Sequence, residues 1–164
     1  FILGGARSGK SRRAQQLAEA AAAHREFIAT AEALDEEMTD RIKRHQSDRG
    51  AGWTTIEAPL NLALALEEAA SKASVVLIDC LTLWLSNLMH HECTIDTETK
   101  RLIAALRLPD HVVLVSNEVG LGLVPETPLG RAFRYHQGRL YQAIAIASDR
   151  VEFIAAGLPL VLKG

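Results

Sequence analysis

The chain has 164 residues, of which 48% are hydrophobic and 23% charged, with a formal net charge of −2. That length suits one packed domain and is short for two, and the composition excludes a disordered or fibrous chain. The charge excludes a general basic field for nucleic-acid phosphates, and the local cluster Arg41, Lys43, Arg44 and Arg49 suits a small anion better.

Apolar runs of strand length alternate with segments of helical period, the pattern of an α/β fold with a mostly parallel sheet flanked by helices. The strands are expected over 1–3, 26–29, 75–79, 111–116 and 151–155, with a possible last one at 160–162. Helices are expected over 11–23, 35–48, 60–72, 83–90, 97–106 and 129–148. In the second of these, Leu34, Met38 and Ile42 form an apolar stripe, and Asp35, Glu36 and Glu37 occupy the first turn, where the helix dipole favours negative charge. No repeat, low-complexity tract or linker divides the chain, so 1–164 reads as one domain. The longest irregular stretch, 117–128, holds Gly120, Gly122, Pro125 and Pro128, and long ordered loops are often functional.

Gly4, Gly5, Ala6, Arg7, Ser8, Gly9, Lys10 and Ser11 form a complete phosphate-binding loop between the first strand and the first helix. Glycines let successive N–H groups turn inward onto phosphate oxygens while the helix N-terminus points at the same anion. Lys10 then reaches the β- and γ-phosphates and Ser11 offers a hydroxyl to Mg²⁺. The alternative is a Gly-rich turn that binds nothing. Asp79, delivered by the apolar run from Val75 to Ile78, supplies the second metal carboxylate, with a helix N-cap as its other possible role.

His45 lies one helical turn after Arg41 among cations that disfavour imidazolium, so a neutral ring nitrogen is available as a nucleophile. A packed or solvated helix histidine is the plain alternative. Asn117 and Glu118 follow a buried strand, where they either contact a ligand or cap the loop. His90, His91, Glu92 and Cys93 are consecutive and cannot converge on one ion, so they read as a polar helix end. Cys80 and Cys93 make no disulfide framework and suit a reducing cytoplasm. Neither a secretory leader nor a membrane-length apolar run is read, and a few residues are expected to precede Phe1, where the first strand is already under way.

Several separated segments agree with one family. They are the phosphate loop, Ile28-Ala29-Thr30-Ala31 with Asp35-Glu36-Glu37-Met38, Arg41-Ile42-x-x-His45 running into Arg49, and Trp53-x-Thr55-x-Glu57. Asp79-Cys80-Leu81-Thr82, Asn117-Glu118-Val119-Gly120, Val124-Pro125-Glu126 and Arg131-x-Phe133-Arg134 continue the series in the same order. The chain resembles the bifunctional adenosylcobinamide kinase / adenosylcobinamide-phosphate guanylyltransferase family of cobalamin biosynthesis.

The resemblance implies a RecA-like P-loop fold, commonly assembled as a homotrimer and acting on small molecules, with neither nucleic acid nor membrane as partner. It implies phosphorylation of adenosylcobinamide by a nucleoside triphosphate, ATP or GTP, with Mg²⁺. Transfer of GMP from GTP to adenosylcobinamide phosphate would follow, through a guanylyl-histidine on His45, giving adenosylcobinamide-GDP. It also implies nucleotide contacts at Ala29, Thr30, Ala31, Gln46, Ser47, Asp48, Arg49, Glu57 and Asp79, with Glu57 a candidate for guanine. The chain departs from the family pattern at Gly50, commonly Pro, and at Tyr141, often Asn; the first loosens the loop behind His45 and the second alters a helix facing the corrinoid or a neighbouring subunit. Two other readings stay open: a P-loop kinase of another metabolite with an inert His45, and a nucleotide-sensing module without transfer chemistry.

Overall fold

In a computed structural model of the chain, residues 1–32 and 50–164 are described, so the expected helix 35–48 lies outside the described residues. Seven strands form one sheet: β1 (Ile2–Gly4), β2 (Arg25–Ala29), β3 (Trp53–Glu57), β4 (Val75–Asp79), β5 (His111–Asn117), β6 (Val151–Ala155) and β7 (Leu158–Lys163). Their order across the sheet is β3-β2-β4-β5-β1-β6-β7, parallel throughout except for the β6–β7 hairpin. Five helices are described: α1 (Lys10–Ala21), α2 (Leu62–Ala70), α3 (Leu81–His90), α4 (Ile95–Ala105) and α5 (Pro128–Ala147).

The expected elements within the described residues are present with ends shifted by a few residues, and β3 is an addition. Trp53-Thr-Thr-Ile-Glu57 is an edge strand with no fully buried residue, so it lacks the continuous apolar run that marks the inner strands. The last strand is longer than expected because its exposed residues pair with β6 through the backbone.

Alternation along the inner strands sends side chains into two apolar layers. Val75 and Leu77 meet Ala14 and Ala18 of α1 on one face. Val76 and Ile78 join Leu66, Trp84, Leu102 and Ile144 on the other, where α2 to α5 lie. Small residues on α1 let that helix sit close over β1, β4 and β5.

An ion cluster fastens the sheet to α1. The Arg13 guanidinium donates two hydrogen bonds to the fully buried carboxylate of Glu152 on β6, at 2.8 and 2.9 Å, and Arg150 adds a third at 2.8 Å. The Arg13 bonds, reinforced by Arg150, hold the Glu152 carboxyl down to about 2. A folded-state value below the ordinary glutamate value of about 4.3 contributes stability that is complete above that value and is lost as pH falls towards 2. The wild-type melting temperature is therefore expected to fall as pH drops from about 4.3 to 2. Glu152→Gln is expected to lower stability at neutral pH by roughly 1–3 kcal/mol and to flatten the acid slope, both measurable by thermal melts followed by circular dichroism.

Candidate functional site

Six parallel strands bring their carboxyl ends to one edge of the sheet, where open α/β sheets place ligands. Gly4 ends β1, Ala29 ends β2, Glu57 ends β3 and Asp79 ends β4. The register sets Glu57 against Ala29 and Ala29 against Asp79, so three sequence-predicted positions form one row across adjacent strands. The row continues from Asp79 to Val115 and from Val115 to Ile2, two residues before Gly4. With neighbouring strands about 4.8 Å apart, Asp79 lies roughly 10 Å laterally from β1 and Glu57 roughly 19 Å.

The phosphate loop spans Gly5 to Gly9 between β1 and α1. Arg7 takes a positive φ of 53° and Gly9 one of 98°, which curls the loop ahead of the helix. Lys10 is buried despite its charge, and its ammonium donates to the Gly5 carbonyl at 3.1 Å. The Ser8 hydroxyl is buried with no hydrogen-bond partner. A buried cation and an unsatisfied donor facing a curled backbone make an anion cradle. Ser11 is the second residue of α1, half-buried beside the cradle.

The cradle is braced by the β6–β7 hairpin, whose turn residues Ala156 and Gly157 both have positive φ, as tight two-residue turns require. The Gly157 N–H donates to the Ser8 carbonyl at 2.8 Å. A Cβ on Gly9 would sit 3.2 Å from the Gly157 Cα, so Gly9 is needed both for its φ and for this close approach.

Asp79 does not cap the following helix; Cys80 occupies that position, with no side-chain cap bond. This leaves the half-buried Asp79 carboxylate at the strand edge. The Cys80 thiol is pushed up to about 11, first by burial and then by Asp79, which makes it a packing group. Thr30 is wholly buried, and its hydroxyl both donates to the Cys80 carbonyl and accepts from the Cys80 N–H, each at 2.8 Å. Its side chain therefore serves the backbone, and Ala29 and Ala31 flank it at the edge.

Glu118 caps its own loop, accepting the N–H groups of Gly120 at 2.5 Å and Leu121 at 3.1 Å, while its N–H donates to the Gly4 carbonyl at 2.9 Å. Arg131 and Arg134 donate to carbonyls of the same loop. Tyr141, one of the departures, turns inward and donates its hydroxyl to the Asn117 carbonyl, with burial the main cause pushing it up to about 12. The other departure, Gly50, is exposed, and a Cβ there would meet nothing. His91 meets Glu32 at 3.0 Å, and no cluster of three or more potential His, Cys, Asp or Glu metal ligands exists among the described residues. The predicted residues His45, Gln46, Ser47, Asp48 and Arg49 lie outside the described residues.

Sequence reasoning missed Thr82 and Asn87, both on α3. Thr82 shares a 2.9 Å hydrogen bond with Ser116 and accepts the Asn117 N–H at 2.8 Å. Asn87 donates to the carbonyls of Thr30 and Pro59. The available signal was a polar amide within the apolar run Leu-Thr-Leu-Trp-Leu-Ser-Asn-Leu.

Comparison with known proteins adds to this geometry. The family model described as cobinamide kinase / cobinamide phosphate guanyltransferase matches residues 1–162. The bifunctional adenosylcobalamin biosynthesis protein CobP of Pseudomonas aeruginosa is 48% identical over 100% of this chain and 96% of its own length. Its counterpart CobU of Salmonella typhimurium is 38% identical over 99% and 98%. Among solved structures, a KaiC-like protein from Pyrococcus horikoshii shares the fold, with a TM-score of 0.54 at 14% identity, covering 93% of this chain and 68% of that one.

Two neighbouring glycines give a contrast that tests the cradle. Gly9→Ala is expected to cost about 1–2 kcal/mol through its left-handed backbone, read as a melting temperature lower by roughly 2–8 °C. Gly5→Ala, whose Cβ would meet nothing within 4 Å, is expected to stay within roughly 0.5 kcal/mol of wild type.

Proposed function

The chain belongs to the cobinamide kinase / cobinamide phosphate guanyltransferase family and is an enzyme with those two activities, and we propose that both run along the single strand edge built above. The observation that carries this reading is the shared register of Glu57, Ala29 and Asp79 on the edge that also bears the Lys10 cradle. In the first reaction a nucleoside triphosphate, ATP or GTP, phosphorylates the hydroxyl of adenosylcobinamide. The bond from the γ-phosphorus to its bridging oxygen breaks, a new bond forms to the substrate oxygen, and the hydroxyl proton is released.

Lys10 and the loop N–H groups of 5–9 hold the triphosphate and stabilise charge as it moves to the leaving phosphate. Ser11 and Asp79 offer the hard oxygen donors that suit Mg²⁺, which keeps much of its coordination for water and phosphate. When bound, that ion would neutralise phosphate charge.

In the second reaction a neutral His45 nitrogen attacks the α-phosphorus of GTP and pyrophosphate leaves. Adenosylcobinamide phosphate then attacks the same phosphorus through an oxygen, the P–N bond breaks, and adenosylcobinamide-GDP forms. Gln46, Ser47, Asp48, Arg49, Ala29, Thr30 and Ala31 line the nucleotide in this reading, Thr30 through its backbone. Glu57 would accept from the guanine N1–H and amine in this reading, which its position at the end of β3 beside Ala29 supports.

The same proposal takes 1–164 as one domain, supported by its one continuous sheet, and the cytoplasm as its setting, supported by two free cysteines. No described helix is long and apolar enough to cross a membrane. A homotrimer completes it. In support, Leu158, Leu160 and Leu162 of edge strand β7 are all exposed, as is Ile146 at the end of α5. An edge strand with that many exposed apolar side chains is a surface that proteins normally cover.

Three experiments test the reading. Lys10→Ala is expected to lower both activities by at least about a hundredfold. His45→Ala is expected to abolish the acid-labile label from α-labelled GTP while retaining much of the kinase step; a persisting label would show another nucleophile. Leu160→Glu combined with Leu162→Glu is expected to shift the mass measured by light scattering from trimer to monomer, and an unchanged trimer would move the interface elsewhere.

A further inference from the structure

Asn87 is an amide buried in the middle of α3, surrounded in sequence by leucines and methionine. Its side-chain nitrogen donates to the Thr30 carbonyl at 2.7 Å and to the Pro59 carbonyl at 3.0 Å. Both acceptors are carbonyl oxygens, so only the NH₂ end of the amide can face them, and both of its hydrogens are used. Thr30 follows β2 directly and Pro59 lies two residues beyond β3. One side chain thus ties together the segments that leave two adjacent strands at the ligand edge.

Thr30 carries the tie to a third strand through its hydroxyl, which closes a pair of bonds with the Cys80 backbone immediately after Asp79. A leucine at position 87 would pack in this apolar helix but would leave the buried Thr30 carbonyl and the partly buried Pro59 carbonyl bare. The core therefore has no use for the amide; the strand-end segments do.

We infer that Asn87, acting through Thr30, is a positioning residue that sets the spacing between Asp79 and the nucleoside-binding segments after β2 and β3. The inference rests on the nucleotide reading proposed above. Asn87 touches neither nucleotide nor metal. It fixes Ala29 to Ala31 and the chain beyond Glu57 relative to the metal carboxylate, while the phosphate cradle, held by β1 and the β6–β7 hairpin, is anchored independently of it.

The two anchoring systems predict a split between ligands. Tripolyphosphate needs only the cradle, whereas GTP also needs the segments Asn87 holds. Asn87→Asp keeps the shape and replaces two donors with acceptors. It is expected to weaken GTP binding, measured by calorimetry on the full chain, by about tenfold or more while tripolyphosphate affinity stays within about twofold.

Leu102→Ala, a buried change in α4 that lowers melting temperature without touching the edge, serves as the control for general destabilisation. It is expected to leave the ratio of the two affinities unchanged. Equal weakening of both ligands in Asn87→Asp, unaltered GTP binding, or the same ratio change in Leu102→Ala would overturn the inference. Failure of the wild type to bind GTP at all would instead overturn the nucleotide reading, and this inference with it. If Asn87→Asp does not fold, Asn87→Leu, which removes both donors without adding charge, makes the same comparison: GTP binding is expected to weaken while tripolyphosphate affinity is kept, and equal effects on both ligands would overturn the inference.

Discussion

A parallel sheet ends in a row of strand termini whose backbone groups have left the ladder, and the function of this chain depends on holding those termini in fixed relation. Buried peptide groups must find partners, and here α3 provides them. Its N-cap residue Cys80 exchanges two hydrogen bonds with the Thr30 hydroxyl, Thr82 accepts from Asn117, Trp84 donates to the Leu60 carbonyl at 2.9 Å, and Asn87 donates to Thr30 and Pro59. The ends of β2, β3, β4 and β5 are thereby fastened to one helix. Because Trp84 and Leu88 of the same helix sit in the apolar layer, any displacement of the edge must also disturb the core.

The other half of the edge uses different means. Around β1 the sequence has to leave backbone N–H groups unpaired so that they can meet an anion, and side-chain fasteners there would compete for them. The loop is instead braced from outside by a backbone bond from the hairpin turn, while its helix is anchored lower down by the Arg13–Glu152 ion pair. Both braces come from β6 and its turn. Residues far along the chain thus determine the shape of a motif near its start, which is why Gly9 must be small, whereas Gly157 is favoured by its positive φ alone, a Cβ there meeting nothing within 4 Å.

The inner strands were legible because burial on both faces demands continuous apolar runs, and the phosphate loop because its glycine spacing answers a steric need. Asp79 followed from the strand that carries it. What could not be read was pairing. Trp53–Glu57 has strand-favouring residues but no apolar run to mark it, and its stability comes from the ladder with β2 and from the Arg25 guanidinium 4.9 Å over the Trp53 ring. Thr30 was recognised through the family resemblance as a nucleotide position, yet its hydroxyl serves Cys80, fifty residues away, a contact set by register alone. Asn87 offered a hint as a polar residue in an apolar helix, but its two acceptors become neighbours only when β2 and β3 pair.

The two proposed reactions break different bonds of a triphosphate, and strand order bears on how one cradle serves both. If the β- and γ-phosphates rest against β1, the α-phosphate and nucleoside extend along the edge over β5 and β4 towards β2 and β3. The γ-phosphorus is then attacked near the cradle, whereas the α-phosphorus is attacked further along. His45 falls in the sequence between β2 and β3, the strands at the nucleoside end of this proposed path. In that reading Lys10 holds the β-phosphate in either case: within the diphosphate left after γ-transfer, and within the pyrophosphate released after attack at the α-phosphorus. In that reading no second cradle is needed: a triphosphate bound in one pose would present both phosphorus atoms along the edge, and the fixed spacing between Asp79 and the ends of β2 and β3 would govern access to the α-phosphorus.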